Sequence, residues 1–197
     1  MKIIVFGATG TVGRLVVERA LCDGHSVTAF ARNTDKLKID NSKLSLVSGD
    51  AMNQTDVSSA IVGHDAVIIT LGSGMKRKSL IRSQGTEMII QAMLQHGVKR
   101  LICQSTLGVH ESWNNLNFFW KRIMFGFLLR PVFLDHELQE TLVRNSGLDW
   151  TLVRPSAFTD EPARGAFKIG FDASEKSLSL KIPRADVAEF LKRQLLD

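Results

Sequence analysis

Three glycines near the start of this 197-residue chain, Gly7, Gly10 and Gly13, have the spacing of a phosphate-binding turn. They follow the apolar run 3–6, which is typical of a buried strand, and they precede a segment that we predict to be helical from residue 14. Such a turn lets the backbone approach a pyrophosphate, and the helix offers unpaired N–H groups at the positive end of its dipole. We therefore predict a dinucleotide site whose phosphates are held by Gly7, Thr9, Gly10, Thr11, Val12 and Gly13. The alternative is a glycine turn with a purely structural role.

The charge that follows the second predicted strand indicates which dinucleotide is bound. Arg32 comes 19 residues after Gly13, where an acidic residue would accept from the ribose 2′-hydroxyl of NAD. An arginine at this place fits a 2′-phosphate instead, and Lys36 adds a second positive charge one turn on. The sequence predicts that NADP(H) is preferred over NAD(H), unless Arg32 is an ordinary surface arginine.

Other candidate residues share one position, directly after a predicted strand. Ligands of open parallel sheets bind at the carboxyl ends of the strands. Ser105 and Thr106 follow the fifth strand and are expected at the nicotinamide, where a hydroxyl could hold the carboxamide or polarise a substrate carbonyl. Asp50 could accept from the adenine amino group or simply form a turn. The further residues expected to contact the cofactor are Asp50, Ala51, Leu71, Gly72, Ser73 and Pro155.

The elements that must position these residues alternate along the chain. Strands are predicted over 3–6, 27–31, 44–47, 66–70, 100–104 and 150–154. Helices are predicted from 14, and over 55–62, 79–96, 131–146 and 185–196. This alternation predicts an α/β fold of the Rossmann type, a doubly wound parallel sheet with helices on both faces. We expect a single domain over 1–197, with a small C-terminal cap over 156–183.

Composition narrows the classes of partner. The net charge of +5 is modest, and the basic run 76–78 is interpreted as a solvated loop, so no nucleic acid is expected. Two cysteines predict neither a disulfide framework nor a metal site. No stretch is long and apolar enough to span a bilayer, and the first strand leaves no room for a signal peptide. We expect a cytoplasmic protein with a small-molecule substrate, either a monomer or a homodimer.

Residues 111–130 are the most aromatic stretch of the chain. They lie between the fifth strand and the helix over 131–146, so they are expected to roof the nicotinamide pocket. One interpretation is a lid in which Trp113 and Phe118 stack on a flat substrate. A second is a contact with another subunit or with a membrane surface, since basic residues flank the apolar ones. A third is a helical hairpin that completes the core.

Several segments together resemble the atypical short-chain dehydrogenases/reductases of the NAD(P)H-binding, NmrA-like family. Within that family the chain resembles the biliverdin-IXβ reductase/NADPH-dependent flavin reductase group. The matching segments are FGATGTVG at 6–13, VTAFAR at 27–32, GDA at 49–51, HDAVIITLGS at 64–73, AMLQHGVKRLICQST at 92–106, DHELQE at 135–140, SGLDWTLVRP at 146–155 and RADVAEFL at 184–191. The resemblance implies a Rossmann-type fold and NAD(P)H chemistry.

One departure from the family pattern bears on the mechanism. Short-chain dehydrogenases use a Tyr-x-x-x-Lys pair, and this chain contains no tyrosine; Val132 and His136 stand at the aligned positions. His136 and Glu140 are four residues apart and share a helix face. The imidazole could hold a ribose hydroxyl or donate a proton as a catalytic group, with Glu140 orienting it beside the substrate. Otherwise, both belong to the polar side of an amphipathic helix.

The resemblance implies an NADPH-dependent reductase that transfers hydride to a conjugated small molecule such as a flavin, a quinone or a linear tetrapyrrole. Such an acceptor does not need the missing tyrosine, because solvent can supply the proton. The alternative is a non-catalytic NADP(H)-binding redox sensor of the NmrA type, which the missing tyrosine also favours.

Overall fold

A computed structural model describes residues 1–74 and 78–196 of the chain. Lys76 and Arg77 of the basic run lie outside the described residues. The central sheet consists of six parallel strands, β1 (Lys2–Phe6), β2 (Ser26–Ala31), β3 (Leu44–Ser48), β4 (Ala66–Ile69), β5 (Arg100–Gln104) and β6 (Asp149–Val153). The described residues also form the α-helices α1 (Gly13–Cys22), α2 (Gln54–Ile61), α3 (Ile81–His96), α4 (Arg130–Arg144) and α5 (Arg184–Arg193).

The first strand shows why the chain folds as two layers of helices around a sheet. All four apolar residues of β1 after Lys2 are fully buried. Alternate side chains of a strand point to opposite faces. Ile3 and Val5 accordingly pack in one apolar cluster with α1 and α5, whereas Ile4 and Phe6 pack in a second cluster with α2 and α3. A strand with both faces buried needs helices on both sides, and the predicted Rossmann-type α/β fold is confirmed.

The strand order places a binding cleft at the middle of the sheet. The order is β3-β2-β1-β4-β5-β6, so the chain first builds outward from β1 and then returns to add β4 on the other side of β1. The connections that leave β1 and β4 diverge at this reversal. A crevice therefore opens beyond the carboxyl ends of these two strands, as in other doubly wound sheets.

Two regions differ from the expected pattern of elements. In the segment 156–183, the short strands β7 (Ala157–Thr159) and β8 (Lys181–Pro183) pair in parallel, outside the main sheet. The aromatic segment 111–130 forms a 3₁₀-helix over His110–Asn115 and a π-helix over Phe119–Leu128 rather than a hairpin of α-helices. Within the described part of the chain, no helix combines the length and apolarity required to cross a membrane.

Candidate functional site

A cavity of about 660 Å³ lies at the carboxyl ends of the strands and collects most of the predicted site residues. Those that line it are Gly7, Thr9, Gly10, Thr11, Val12, Arg32, Lys36, Asp50, Ala51, Leu71, Gly72, Ser105, Thr106, His136 and Pro155. The predicted residues that lie away from its wall are Gly13, Ser73, Trp113, Phe118 and Glu140. Residues from seven separate stretches of sequence thus meet around one space.

The glycine turn between β1 and α1 forms a wall of backbone donors. Gly7 has a φ of +82°, and a Cβ placed there would lie 2.6 Å from the carbonyl oxygen of Thr70. Within the described part of the chain, the backbone N–H groups of Thr9, Thr11 and Val12 donate to no protein acceptor. Three free donors at the start of a helix suit a phosphate group, so this wall fits the pyrophosphate of a dinucleotide.

Gly13 serves the packing of this turn and does not line the cavity. A Cβ on Gly13 would lie 2.3 Å from the carbonyl oxygen of Gly7 and 2.6 Å from Oγ1 of Thr70. Glycine at this position therefore lets α1 begin directly against the turn. Gly72 also lines the cavity and has nothing within 4 Å of an added Cβ, so its bare backbone faces open space.

Two cations lie where the cavity reaches the end of β2. Arg32 and Lys36 are both exposed and both line the cavity. Among residues 1–74 and 78–196, neither has a carboxylate within 4 Å. Asp50, at the end of β3, accepts from the N–H of Met52 at 3.0 Å, so it forms a turn as well as lining the cavity. This end of the cavity combines positive charge with open access to solvent.

Unpartnered polar atoms lie at the end of β5. The Ser105 side chain is buried, and its Oγ has no hydrogen-bond partner in the described part of the chain. The backbone N–H of Ser105 donates to the carbonyl of Val153 at 2.8 Å, which fixes the residue at the cavity wall. Gln104, which sequence reasoning missed, also lines the cavity, and its Oε1 lacks a partner as well. Buried polar groups without partners are rare in folded proteins, so both fit a site that a ligand completes.

His136 is buried at the cavity wall and is held by its own helix. Its Nδ1 lies 3.2 Å from Oε1 of Gln139, whose Nε2 donates to Oγ1 of Thr86 at 3.0 Å. The amide oxygen therefore faces the ring, Nδ1 carries the hydrogen, and Nε2 is left as an acceptor. Burial, together with the positive charge of Arg82, lowers the pKa of His136 to about 3. A ring that is neutral near pH 7 suits the predicted role of holding a ribose hydroxyl better than the predicted role of proton donor, and both roles stay predictions.

Glu140 does not orient His136, and this part of the prediction is wrong. Its fully buried carboxylate accepts from Nε and Nη2 of Arg154, at 2.8 and 2.5 Å. Arg154 follows β6 directly and also donates to Glu111 at 2.9 Å. The guanidinium is a stronger partner for a buried carboxylate than a neutral imidazole, because it carries a full charge and two parallel donors. Glu140 thus anchors the end of β6 and the start of the aromatic segment.

Asp135 is a second buried acid of α4 that sequence reasoning missed. It accepts from the backbone N–H groups of Arg82 and Ser83, at 3.2 and 3.0 Å, and from Oγ of Ser83 at 2.6 Å. These contacts cap the start of α3, and they hold Arg82 at the cavity. The sequence signal that could have found Asp135 is the density of polar residues in the segment 135–140. The structure buries four of them, Asp135, His136, Gln139 and Glu140.

The aromatic wall of the cavity is built from other residues than those predicted. Trp113 packs against Phe133, with ring centroids 5.4 Å apart, and Phe118 is 74% exposed, so neither lines the cavity. Trp120 and Phe125 of the π-helix line it instead, with centroids 5.5 Å apart. The other apolar residues at this end are Leu107, Leu116, Leu129, Val132, Phe158 and Leu180. The cavity therefore joins a polar, cationic end to an apolar, aromatic one.

Comparisons with known proteins agree with this geometry. The model of a family described as NAD(P)H-binding matches residues 7–197. The UPF0659 protein YMR090W of Saccharomyces cerevisiae is 28% identical over 206 residues, covering 100% of this chain and 87% of its own length. The oxidoreductase ylbE of Lactococcus lactis superposes with a TM-score of 0.84 at 25% identity, covering 100% of this chain and 85% of that one.

A further solved structure shares the fold. ChuY, an anaerobillin reductase from Escherichia coli O157:H7, superposes with a TM-score of 0.79 at 24% identity, covering 100% of this chain and 91% of that one. The family match covers nearly the whole chain and includes the glycine turn and the strand ends that line the cavity. The chain therefore belongs to the NAD(P)H-binding family and has a Rossmann fold.

Proposed function

We propose that this protein is an NADPH-dependent reductase that transfers hydride to a conjugated small molecule such as a flavin, a quinone or a linear tetrapyrrole. The observation that carries the proposal is the continuity of the cavity, which runs from the glycine turn past Ser105 to Trp120 and Phe125. Bound NADPH would supply the hydride. An apolar, aromatic wall beyond the cofactor end suits a flat acceptor.

The preference for NADP(H) over NAD(H) rests on Arg32 and Lys36. Both cations line the polar end of the cavity, and neither is neutralised by a carboxylate of the described residues. A 2′-phosphate would provide the missing negative charge, and an arginine can meet it with two donors. The 2′-hydroxyl of NAD(H) offers no such charge.

The polar residues near the middle of the cavity suit an acceptor that needs no strong acid. His136 is neutral and presents Nε2 as an acceptor, and the chain has no tyrosine. The Oγ of Ser105 is free to donate to a carbonyl or ring nitrogen of a substrate. A conjugated acceptor spreads the charge of an added hydride over its own π-system, so the proton can come from water.

The same polar residues favour a second candidate, a non-catalytic NADP(H)-binding redox sensor. A cavity wall whose histidine is held neutral lacks the proton donor that carbonyl reduction requires. For either function we propose a cytoplasmic location, because Cys22 and Cys103 are both free thiols.

Turnover separates the two candidates. The loss of NADPH absorbance would be followed with FMN, menadione and biliverdin, and with anaerobillin because ChuY shares the fold. NADPH affinity would be measured in parallel by fluorescence. Sustained oxidation with one acceptor supports the reductase, whereas tight binding without oxidation by any acceptor favours the sensor.

A pair of variants tests where the acceptor binds. Trp120→Ala removes an aromatic side chain from the cavity wall, whereas Phe127→Ala removes one that is 82% exposed and away from the cavity. We expect Trp120→Ala to raise the KM for the acceptor on the order of tenfold, from the lost aromatic contact area. Phe127→Ala is the matched control and should leave the KM unchanged. Equal effects of the two substitutions would refute acceptor binding at the aromatic wall.

A further inference from the structure

The side of the π-helix that faces away from the cavity exposes an unusual amount of apolar surface. Phe127 is 82% exposed, Phe118 is 74%, Phe119 is 52% and Ile123 is 47%. We call these four residues the outer face. Phe119, Ile123 and Phe127 recur four residues apart, and Phe118 comes five residues before Ile123. Such spacings keep side chains on one side of a helix in which Leu129 N–H donates to the carbonyl of Met124, five residues earlier. Trp120 and Phe125, on the other side of the π-helix, line the cavity.

The segment that carries the outer face contains basic residues and no acidic ones. Lys121, Arg122 and Arg130 lie in or next to the π-helix, and the stretch 112–134 contains no Asp or Glu. Within the described ranges, none of the three forms an ion pair with a carboxylate. The segment therefore combines exposed aromatic rings with uncompensated cations.

We propose that the outer face binds the surface of an anionic lipid bilayer. Aromatic and aliphatic side chains of an interfacial helix insert at the boundary between headgroups and acyl chains, while Lys and Arg contact the anionic headgroups. The charge pattern favours this partner over a second copy of the chain. A twofold contact would bring the same patch against itself, so six cations would face each other with no acid of the segment between them.

Membrane binding would also place the cavity next to the lipid. The inner face of the same π-helix forms the aromatic wall, and Trp120 lies only two positions after Phe118 along the chain. An apolar acceptor dissolved in the bilayer would thus have a short path into the cavity. The lipid-binding step itself does not depend on the proposed reductase activity, so the two can fail separately.

Flotation with lipid vesicles tests the proposal on the full-length protein. Vesicles of phosphatidylcholine alone would be compared with vesicles of equal parts phosphatidylcholine and phosphatidylglycerol. We expect binding to the anionic vesicles only, and release at high salt, because screening weakens the attraction between basic residues and headgroups.

Two double variants separate the contributions of charge and apolar surface. Arg122→Gln with Arg130→Gln should weaken binding by about 25-fold, because each basic residue near an anionic surface contributes about fivefold. Phe118→Ser with Phe127→Ser should weaken it by at least about tenfold, since two exposed rings no longer insert. Ile169→Ser is the matched control, because Ile169 is 60% exposed outside the segment, and it should bind as the parent protein does.

The proposal has clear contrary outcomes. The proposal is overturned if both double variants bind anionic vesicles as tightly as the parent protein does, or if the parent protein does not float with anionic vesicles. A dimer in light scattering that Phe127→Ser dissociates would assign the outer face to self-association instead. Because the four substituted side chains are exposed, unchanged thermal unfolding should accompany each variant, and NADPH affinity, measured in solution, reports on the cofactor site independently.

Discussion

Removal of the Arg32 side chain should change cofactor selectivity rather than cofactor binding in general. Arg32→Ala deletes one of the two cations at the polar end of the cavity and leaves the glycine turn untouched. We expect NADPH affinity to fall while NADH affinity changes little, because only NADPH carries the 2′-phosphate. Lys38→Ala is the matched control, since Lys38 is an exposed cation nearby that does not line the cavity.

The exposure of Arg32 sets the size of this effect. A charge-assisted hydrogen bond contributes about 1.5–3 kcal/mol, and solvent screening at an exposed residue favours the lower end. This corresponds to a loss of NADPH affinity of about tenfold, with a smaller loss for Lys36→Ala, whose ammonium acts as a single point charge. The double variant need not be additive, because both cations would contact the same phosphate.

Titrations of NADPH and NADH at two salt concentrations provide the assay. In the parent protein, NADPH affinity should fall with salt more steeply than NADH affinity, and Arg32→Ala should reduce that difference. If Arg32→Ala weakens both cofactors equally, the 2′-phosphate assignment is wrong. Equal weakening of NADPH by Lys38→Ala would instead indicate a general field effect of the basic surface.

Three further predictions test the interior of the site. Ser105→Ala should lower kcat by up to about tenfold with the NADPH Kd unchanged, in stopped-flow turnover with any active acceptor; a change in Kd alone would place Ser105 at the cofactor. His136 has a folded pKa of about 3, below its ordinary 6.5, so the unfolded chain protonates first and the free energy of unfolding falls as the pH drops from 6.5 towards 3. Between pH 7 and pH 5, the free energy of unfolding measured with urea should fall by about 2 kcal/mol less for His136→Gln than for the parent protein. An equal fall in both proteins would contradict the buried, neutral ring. Glu140→Gln should cost about 3–5 kcal/mol and lower the Tm by about 10 °C or more in calorimetry, because it leaves Arg154 without its buried partner, whereas Glu137→Gln should have little effect.

The sequence identified the fold and the polar end of the cavity because their signals are local. A largely apolar strand, a glycine turn and a helix follow one another between Lys2 and Cys22, and the parallel topology then brings every strand end to the same edge. Arg32 and Ser105 lie on the cavity for this reason, although they are 73 positions apart. Knowing where the strands end was enough to bring them together.

The aromatic wall could not be predicted, because it depends on an uncommon helix period. An α-helix repeats every 3.6 residues, whereas Phe119–Leu128 is a π-helix whose facing positions are four or five apart. This period turns Trp120 and Phe125 inward and Phe118 outward. Aromatic composition alone located the lining segment but could not distinguish its two faces.

The partner of Glu140 depended on a contact distant in the sequence. The helix spacing correctly placed His136 and Glu140 on neighbouring positions, but Arg154 arrives there only after the chain has completed β6. With Arg154 taking the carboxylate, His136 is left to Gln139 and stays neutral. Whether the Glu140 carboxylate accepts from His136 or from Arg154 is decided by tertiary packing, so the sequence of one helix cannot reveal it.

These buried pairs constrain the chemistry that the cavity can support. Asp135 fixes the start of α3, Glu140 fixes the end of β6, and both charges are satisfied away from the cavity. The groups that face the space between the glycine turn and the aromatic wall are then a neutral imidazole, the free hydroxyl of Ser105, the amide of Gln104 and the guanidinium of Arg82, which pairs with Asp135. None of these groups gives up a proton readily near pH 7, so a product anion would be stabilised by the substrate's own conjugation and by the positive charge of Arg82 rather than by proton transfer from the protein. The polar network of α4 therefore favours delocalised acceptors over simple ketones, on grounds independent of the aromatic wall.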